Sequence, residues 1–281
     1  MGAPMVRRLL AAGLRVRVWN RTRSKIRELI DGGAESAPSA ADAASGADAV
    51  FLCVTDAAAV DAVLFAEGGV AGAADPPPLL VDFSTIGPDA TIACAQRLRA
   101  KCATSWVDAP VSGGATGAEQ GKLVILCGGS SADIDRLRPI FAVLAQRVTR
   151  IGELGAGQTL KLCNQLIVAT NLVAIAESLN LARASGLDLA IIPDALAGGF
   201  ADSLPMQIFG RRMAQGVTQP VLGELALMLK DLSAVDRLAQ RHHSELPMTR
   251  AALEVYRRAG EQGLLRQDLA ALISLYSSPK G

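Results

Sequence analysis

Residues 1–22, "MGAPMVRRLLAAGLRVRVWNRT", hold a helix followed by a strand, with no strand ahead of the helix. Pro4 to Ala12 read as a first helical turn and body, Gly13 as its stop, and Leu14 to Trp19 as an apolar strand. A helix that leads straight into such a strand is half of an α/β repeat, so the other halves are expected further along the chain.

The alternation continues to about residue 152. Strands are expected at "LRVRVW" from Leu14, "AVFLCV" from Ala49, "LLVDFS" from Leu79, "SWVDAP" from Ser105, "LVILCGG" from Leu123 and "RVTRIG" from Arg147, with helical patterns between them. Several are apolar on both faces, as strands of a parallel sheet covered on both sides must be. The expected fold of residues 1–152 is a Rossmann-like, doubly wound α/β sheet. After Gly157 the strands stop. "QTLKLCNQLIVATNLVAIAESLNLARASG" runs as one long helix closed by Gly186, and further helices follow, so residues 153–281 are expected to form an all-α domain. The long helix is apolar on almost every side, which predicts burial.

The 281 residues, half of them hydrophobic, suffice for a proper core in each domain, and the formal net charge is only +1. That balance points away from disorder and from nucleic acid, and toward small molecules or partner subunits. No apolar run is read as reaching the roughly 20 residues that span a bilayer, and no secretory signal is recognised, so a cytoplasmic protein without membrane association is expected. The cysteines Cys53, Cys94, Cys102, Cys127 and Cys163 are odd in number and scattered, the pattern of reduced, buried thiols. His242 and His243 have no third ligand at metal spacing, so no metal site is expected.

Doubly wound sheets bind ligands beyond the carboxyl ends of their strands, so the strand exits are where chemistry is sought. Asn20, Arg21 and Thr22 follow the first strand, where a dinucleotide fold meets the adenosine ribose. With no carboxylate at Asn20 and a fixed cation at Arg21, NADP(H) is favoured, with NAD(H) as second choice. Asn-Arg-Thr is also an ordinary strand exit and helix cap. Ser84 and Thr85 lie at a later exit. Ser112, Gly113 and Gly114 offer one hydroxyl and unshielded backbone N–H groups, a cradle suited to a carboxylate, although a plain glycine turn has the same composition. The long helix places Lys161 three and four residues before Asn164 and Gln165, so a cation and two amides share one face. An unpaired buried lysine is expensive, and a lysine in a dry cleft suits general-acid work; a lysine on an exposed first turn simply reaches water.

Taken in order, "MGAPM" leading into "NRT", then "VDFSTI", "DAPVSGG", "GAGQTLKLCNQLIVATNL" and "LMLKDL" resemble the β-hydroxyacid dehydrogenase family over essentially the whole chain. The resemblance implies a second domain like the C-terminal domain of 6-phosphogluconate dehydrogenase. It also implies hydride transfer between NADP(H) and a small hydroxyacid or semialdehyde acid: tartronate semialdehyde, 3-hydroxyisobutyrate, succinic semialdehyde or glyoxylate. Lys161 matches the catalytic lysine, and Ser112, Gly113 and Gly114 match the loop that holds the substrate carboxylate. Asn164 matches an amide three residues after the lysine, while some relatives place it four residues after, where Gln165 stands; both stay candidates. Val54, Thr55 and Thr85 match positions lining the cofactor, Thr55 standing where many relatives have proline. Lys230 matches a lysine that closes over the cofactor, and Asp231 orients that region.

In relatives "MGxPM" ends a longer stretch, a strand and "GLGxMG", whose glycines hold the cofactor pyrophosphate. Gly2 matches the last of them, and the part before it would be about ten residues, one strand and its turn. The expectation is that Met1 is an internal methionine taken for a start; the alternative is a shortened product with impaired cofactor binding. Relatives are mostly dimers or tetramers, which implies a homo-oligomer here. An imine reductase shares the architecture, but Lys161 argues against it. A non-catalytic dinucleotide-binding or scaffold protein is the reading from another class.

Overall fold

The computed structural model describes residues 1–276. The chain divides into two compact units, Met1–Lys161 and Leu162–Gly281. The first unit contains the helices α1 (Gly2–Ala11), α2 (Arg27–Asp31), α3 (Ala40–Ala44), α4 (Ala57–Phe65), α5 (Pro88–Cys102), α6 (Gly114–Gln120) and α7 (Ser131–Leu144). Its strands are β1 (Arg17–Val18), β2 (Glu35–Ser36), β3 (Val50–Leu52), β4 (Leu79–Asp82), β5 (Ser105–Asp108), β6 (Val111–Ser112), β7 (Leu123–Gly128) and β8 (Ala145–Gly152). The helix α8 (Ala156–Ala184) starts in this unit and runs on into the second.

Alternate residues of the central strands feed two different cores, which is how period-2 side chains cover both faces of a sheet. Leu79, Val81, Phe83 and Val107 pack with Met5 and Leu9 of α1 and with Ile134, Leu137 and Phe141 of α7. Leu52, Leu80 and Trp106 pack on the other side with Val60 and Leu64 of α4 and with Ala95 and Leu98 of α5. The doubly wound sheet is therefore present, but it is mixed and interrupted, not wholly parallel. β3, β4 and β5 are parallel, whereas β7 is antiparallel to both β5 and β6 and parallel to β8. Between β6 and β7 the chain has only the seven-residue α6, closed by Gly121 at φ +67°, and it turns back. A return to parallel pairing needs a crossover of a dozen or more residues. Strands β2 and β6 were not expected from the sequence, each being two residues long. β1 pairs with β2 as a separate two-stranded sheet, and the larger sheet begins at β3.

The second unit is built around α8. Ala169, Leu172, Ala176 and Leu179, spaced by three and four, pack with Met228 and Leu232 of a helix at Leu225–Arg241 and with Leu253 and Tyr256 of a helix at Pro247–Glu261. Two expectations about α8 are corrected. It is long and apolar enough by length and composition to cross a membrane. It is also not buried on every side: Ile167 and Leu181 are 64% and 69% exposed. The thiols are all free, but only Cys94 and Cys127 are buried; Cys53 and Cys102 are half-buried and Cys163 is exposed on α8. Burial pushes the Cys127 thiol up to about 12.

Candidate active site

One buried polar network ties the exits of β3, β4 and β5 to the start of α8. Asp108, the last residue of β5, has no exposed surface; its Oδ1 accepts the N–H of Gly155 at 2.7 Å and its Oδ2 that of Gln158 at 2.8 Å. The first N–H groups of a helix have no partner within it, and a side chain just before the helix usually caps them. Gly155 has no such side chain, and Asp108 supplies the acceptor from 47 residues earlier. Burial pushes the Asp108 carboxyl above its ordinary range, against the pull of these N–H donors. Gly157 passes so close that a Cβ there would lie 2.7 Å from Asp108 Oδ2 and nearer still to the carbonyl oxygen of Leu126.

Gln158, in the first turn of α8, has no exposed surface. Its Nε2 donates to the Ser84 carbonyl at 2.7 Å, and its Oε1 accepts the N–H groups of Ile86 and Gly87, each at 3.1 Å. Ser84 Oγ in turn accepts the N–H of Val54 at 3.0 Å. The expected cofactor-lining residues Val54 and Thr85 thus stand on, or next to, backbone joined to α8. Thr55 is exposed beside them. Lys161 follows Gln158 by one helical turn and is only 8% exposed, so it does not reach out to solvent as a lysine on an exposed first turn would.

At the other strand exits the expected residues stand as follows. Ser112 ends β6 and is half-buried, and Gly113 and Gly114 follow at φ +122° and +64°, conformations that side-chain-bearing residues rarely adopt. Asn20 Oδ1 accepts the N–H of Thr22 at 2.8 Å, a local turn that commits the asparagine. Arg21 is exposed and, among the described residues, has no carboxylate partner. Gly2 is the first residue of α1 and lies against Cys53 just beyond β3: a Cβ on Gly2 would stand 3.6 Å from the Cβ of Cys53.

In the second unit Asn164 Nδ2 donates to Gln165 Oε1 at 3.0 Å, and Gln165 Nε2 donates to Asp231 Oδ2 at 2.6 Å. Asp231 is buried, with Lys230 Nζ 3.1 Å from its Oδ1. Gln165, Asp231 and Lys230 therefore form one chain of contacts, and the amide of Gln165 is engaged at both ends.

Sequence reasoning did not single out Asp108 or Gln158 as site residues. The available signal for Gln158 was a polar side chain in the first turn of an otherwise apolar helix. For Asp108 it was a carboxylate closing an apolar strand. Neither signal names a partner.

A model of the NAD binding domain of 6-phosphogluconate dehydrogenase matches residues 1–152, and a model of the NAD-binding domain of NADP-dependent 3-hydroxyisobutyrate dehydrogenase matches residues 155–276. The 2-hydroxy-3-oxopropionate reductase of Escherichia coli (strain K12) is 35% identical over 97% of this chain and 92% of its own. The structure of a 3-hydroxyisobutyrate dehydrogenase from Salmonella typhimurium superposes with a TM-score of 0.89 at 30% identity, over 98% of this chain and 95% of that one. Psf3, solved in complex with NADP+ and 2-OPP, gives a TM-score of 0.90 at 27% identity, over 99% and 97% of the two chains.

Proposed function

This chain belongs to the β-hydroxyacid dehydrogenase family, and from that premise we propose that it is an NADP(H)-preferring reductase of a small semialdehyde acid. The coarser part of this, an NAD(P)-dependent oxidoreductase acting on hydroxyacids, is what its relatives are named for. The observation that carries the finer reading is a lysine, Lys161, buried one turn beyond the network that joins three strand exits.

The residues present suit a dinucleotide. Gly2 opens a helix at the carboxyl end of β3, a place that favours phosphate, and Arg21 is exposed where an additional phosphate on the ribose needs a cation. Val54, Thr55 and Thr85 would line the nucleotide, and in the second unit Asp231 holds Lys230, the cation that the family resemblance assigns to the cofactor. Bound NADPH supplies the hydride. The chain's own groups do the rest. Ser112 and the N–H groups of Gly113 and Gly114 hold the substrate carboxylate and so orient the carbonyl. Lys161 Nζ gives its proton to the carbonyl oxygen as negative charge develops there, and takes it back in oxidation. Gln165 is engaged at both ends of its amide, by Asn164 and Asp231, whereas the Oδ1 of Asn164 takes no part in that chain, so Asn164 is the amide assigned to substrate. Tartronate semialdehyde is taken first among the substrates, a choice supported by the similarity to the 2-hydroxy-3-oxopropionate reductase.

The test is Lys161→Ala. General acid catalysis contributes about 10²–10⁴-fold, and kcat should fall by that much while NADPH affinity, read from nicotinamide fluorescence, is unchanged. Turnover equal to that of the wild type removes the mechanism.

A further inference from the structure

The contacts of Gln158 have a chemical polarity: they need a side chain that donates at one end and accepts at the other, as a carboxamide does at any pH. One end must donate, to the Ser84 carbonyl at 2.7 Å; the other must accept twice, from Ile86 and Gly87 at 3.1 Å. The three partners lie 71 to 74 residues away in sequence, and the side chain has no access to water. Any partner left unmet here is a buried polar group without solvent, which costs about 1–3 kcal/mol. The bonds therefore hold two turns at a fixed separation: Ser84–Gly87, which includes Thr85, and the first turn of α8, which leads to Lys161. Val54 joins the same assembly through Ser84 Oγ at 3.0 Å.

We propose that Gln158 is a positioning residue of the reaction, its carboxamide setting the Lys161 turn against the turn that carries Thr85. It governs proton transfer and nucleotide binding without touching substrate or cofactor. This rests on the reductase reading for its kinetic half, but its binding half does not need turnover.

Gln158→Glu tests it, because the shape is kept and one end is altered. One oxygen of the new carboxyl still accepts from Ile86 and Gly87, and the other faces the Ser84 carbonyl oxygen. Ionised, the two oxygens repel and the turns are pushed apart; protonated, the new O–H donates to Ser84 and the network is whole. Burial and the opposing carbonyl both raise the pKa of that carboxyl, so the network is intact below its pKa and is lost as pH rises through it. A displacement of about 1 Å at a catalytic group costs on the order of 10²-fold. At pH 8 kcat should therefore fall by about that factor relative to wild type, with NADPH affinity also weakened, and both ratios should return toward one as the pH approaches 6.

Gln158→Met, of similar length and without donor or acceptor, should be impaired equally at every pH. Circular dichroism at each pH confirms that the variants are folded. Were Gln158→Glu unfolded, the shorter amide of Gln158→Asn takes its place: reduced kcat in a folded protein supports the proposal, and wild-type kcat overturns it. A Gln158→Glu protein that matches wild type at all pH values, or that is reduced by one constant factor throughout, also overturns it. If wild type turns over no hydroxyacid or semialdehyde, the reductase reading fails by itself, and the pH dependence of NADPH affinity in Gln158→Glu still decides this proposal.

Discussion

Arg21 and Asn20 are adjacent, yet the structure uses them differently. The asparagine oxygen is spent on the Thr22 N–H, while the arginine is exposed and has no carboxylate partner among the described residues. A guanidinium in that position matches a phosphate in charge and geometry. Hydrogen bonds to charged groups contribute about 1.5–3 kcal/mol, so Arg21→Ala should raise the KM for NADPH by roughly 10- to 100-fold and leave that for NADH unchanged. Steady-state kinetics with both nucleotides checks this, and an equal rise for NADPH and NADH counts against Arg21 as the phosphate ligand. The residue types at this strand exit were informative in the sequence because the position is set by local order along the chain. Lys161 was open in the sequence between a buried cation and a lysine reaching water from an exposed first turn, and the structure leaves it only 8% exposed. The choice between Asn164 and Gln165 was different: two adjacent amides on one helix look alike until Asp231, 66 residues further on, engages one of them.

At the scale of the element, α8 does two jobs along its length. Its first turn is fixed by Asp108 and Gln158, and its middle turns supply the core of the second unit through Ala169, Leu172, Ala176 and Leu179. The close approach at Gly157 is what lets Asp108 reach the helix start. Gly157→Ala would drive a methyl group into the Leu126 carbonyl and Asp108 Oδ2, both part of fixed structure. Overpacking of this kind costs about 1–3 kcal/mol, which should appear as a lower urea midpoint at unchanged slope. A midpoint equal to that of wild type would show that the β7 exit yields at no cost. The helix itself was legible from its periodicity, as were the helix–strand alternation and the strand exits. β2 and β6 were not, because two residues are too few to show a period.

At the scale of the whole molecule, each unit has its own apolar core, and α8 leaves an exposed stripe over Ile167, Ala174 and Leu181, which recur every seven residues. Residues at that spacing keep to one side of a helix, with Thr170, Asn171, Glu177 and Ser178 between them, a mixed apolar and polar face of the kind that protein interfaces use. We propose a homodimer or homotetramer that covers it. Sedimentation velocity should give a multiple of the 29.1 kDa chain mass, reduced to the monomer by Ile167→Glu combined with Leu181→Glu. A wild-type protein that sediments as a monomer at micromolar concentration rejects the assembly.

The sequence by itself determined the class of the fold, the order of its elements, the long helix and the residue types at the strand exits. Those features follow from interactions between residues close in sequence, where the 2.0 and 3.6 periods and the turn chemistry are written directly in the order of side chains. Only the tertiary structure decided that β7 and β8 run against β3, β4 and β5, and that β1 and β2 pair apart from the larger sheet. It also decided which carboxylate caps α8, and which of the two amides Asp231 engages. Each of these depends on a partner 47 to 74 residues away or on which strand lies beside which, and a buried hydrogen bond has no periodicity from which such a partner could be read.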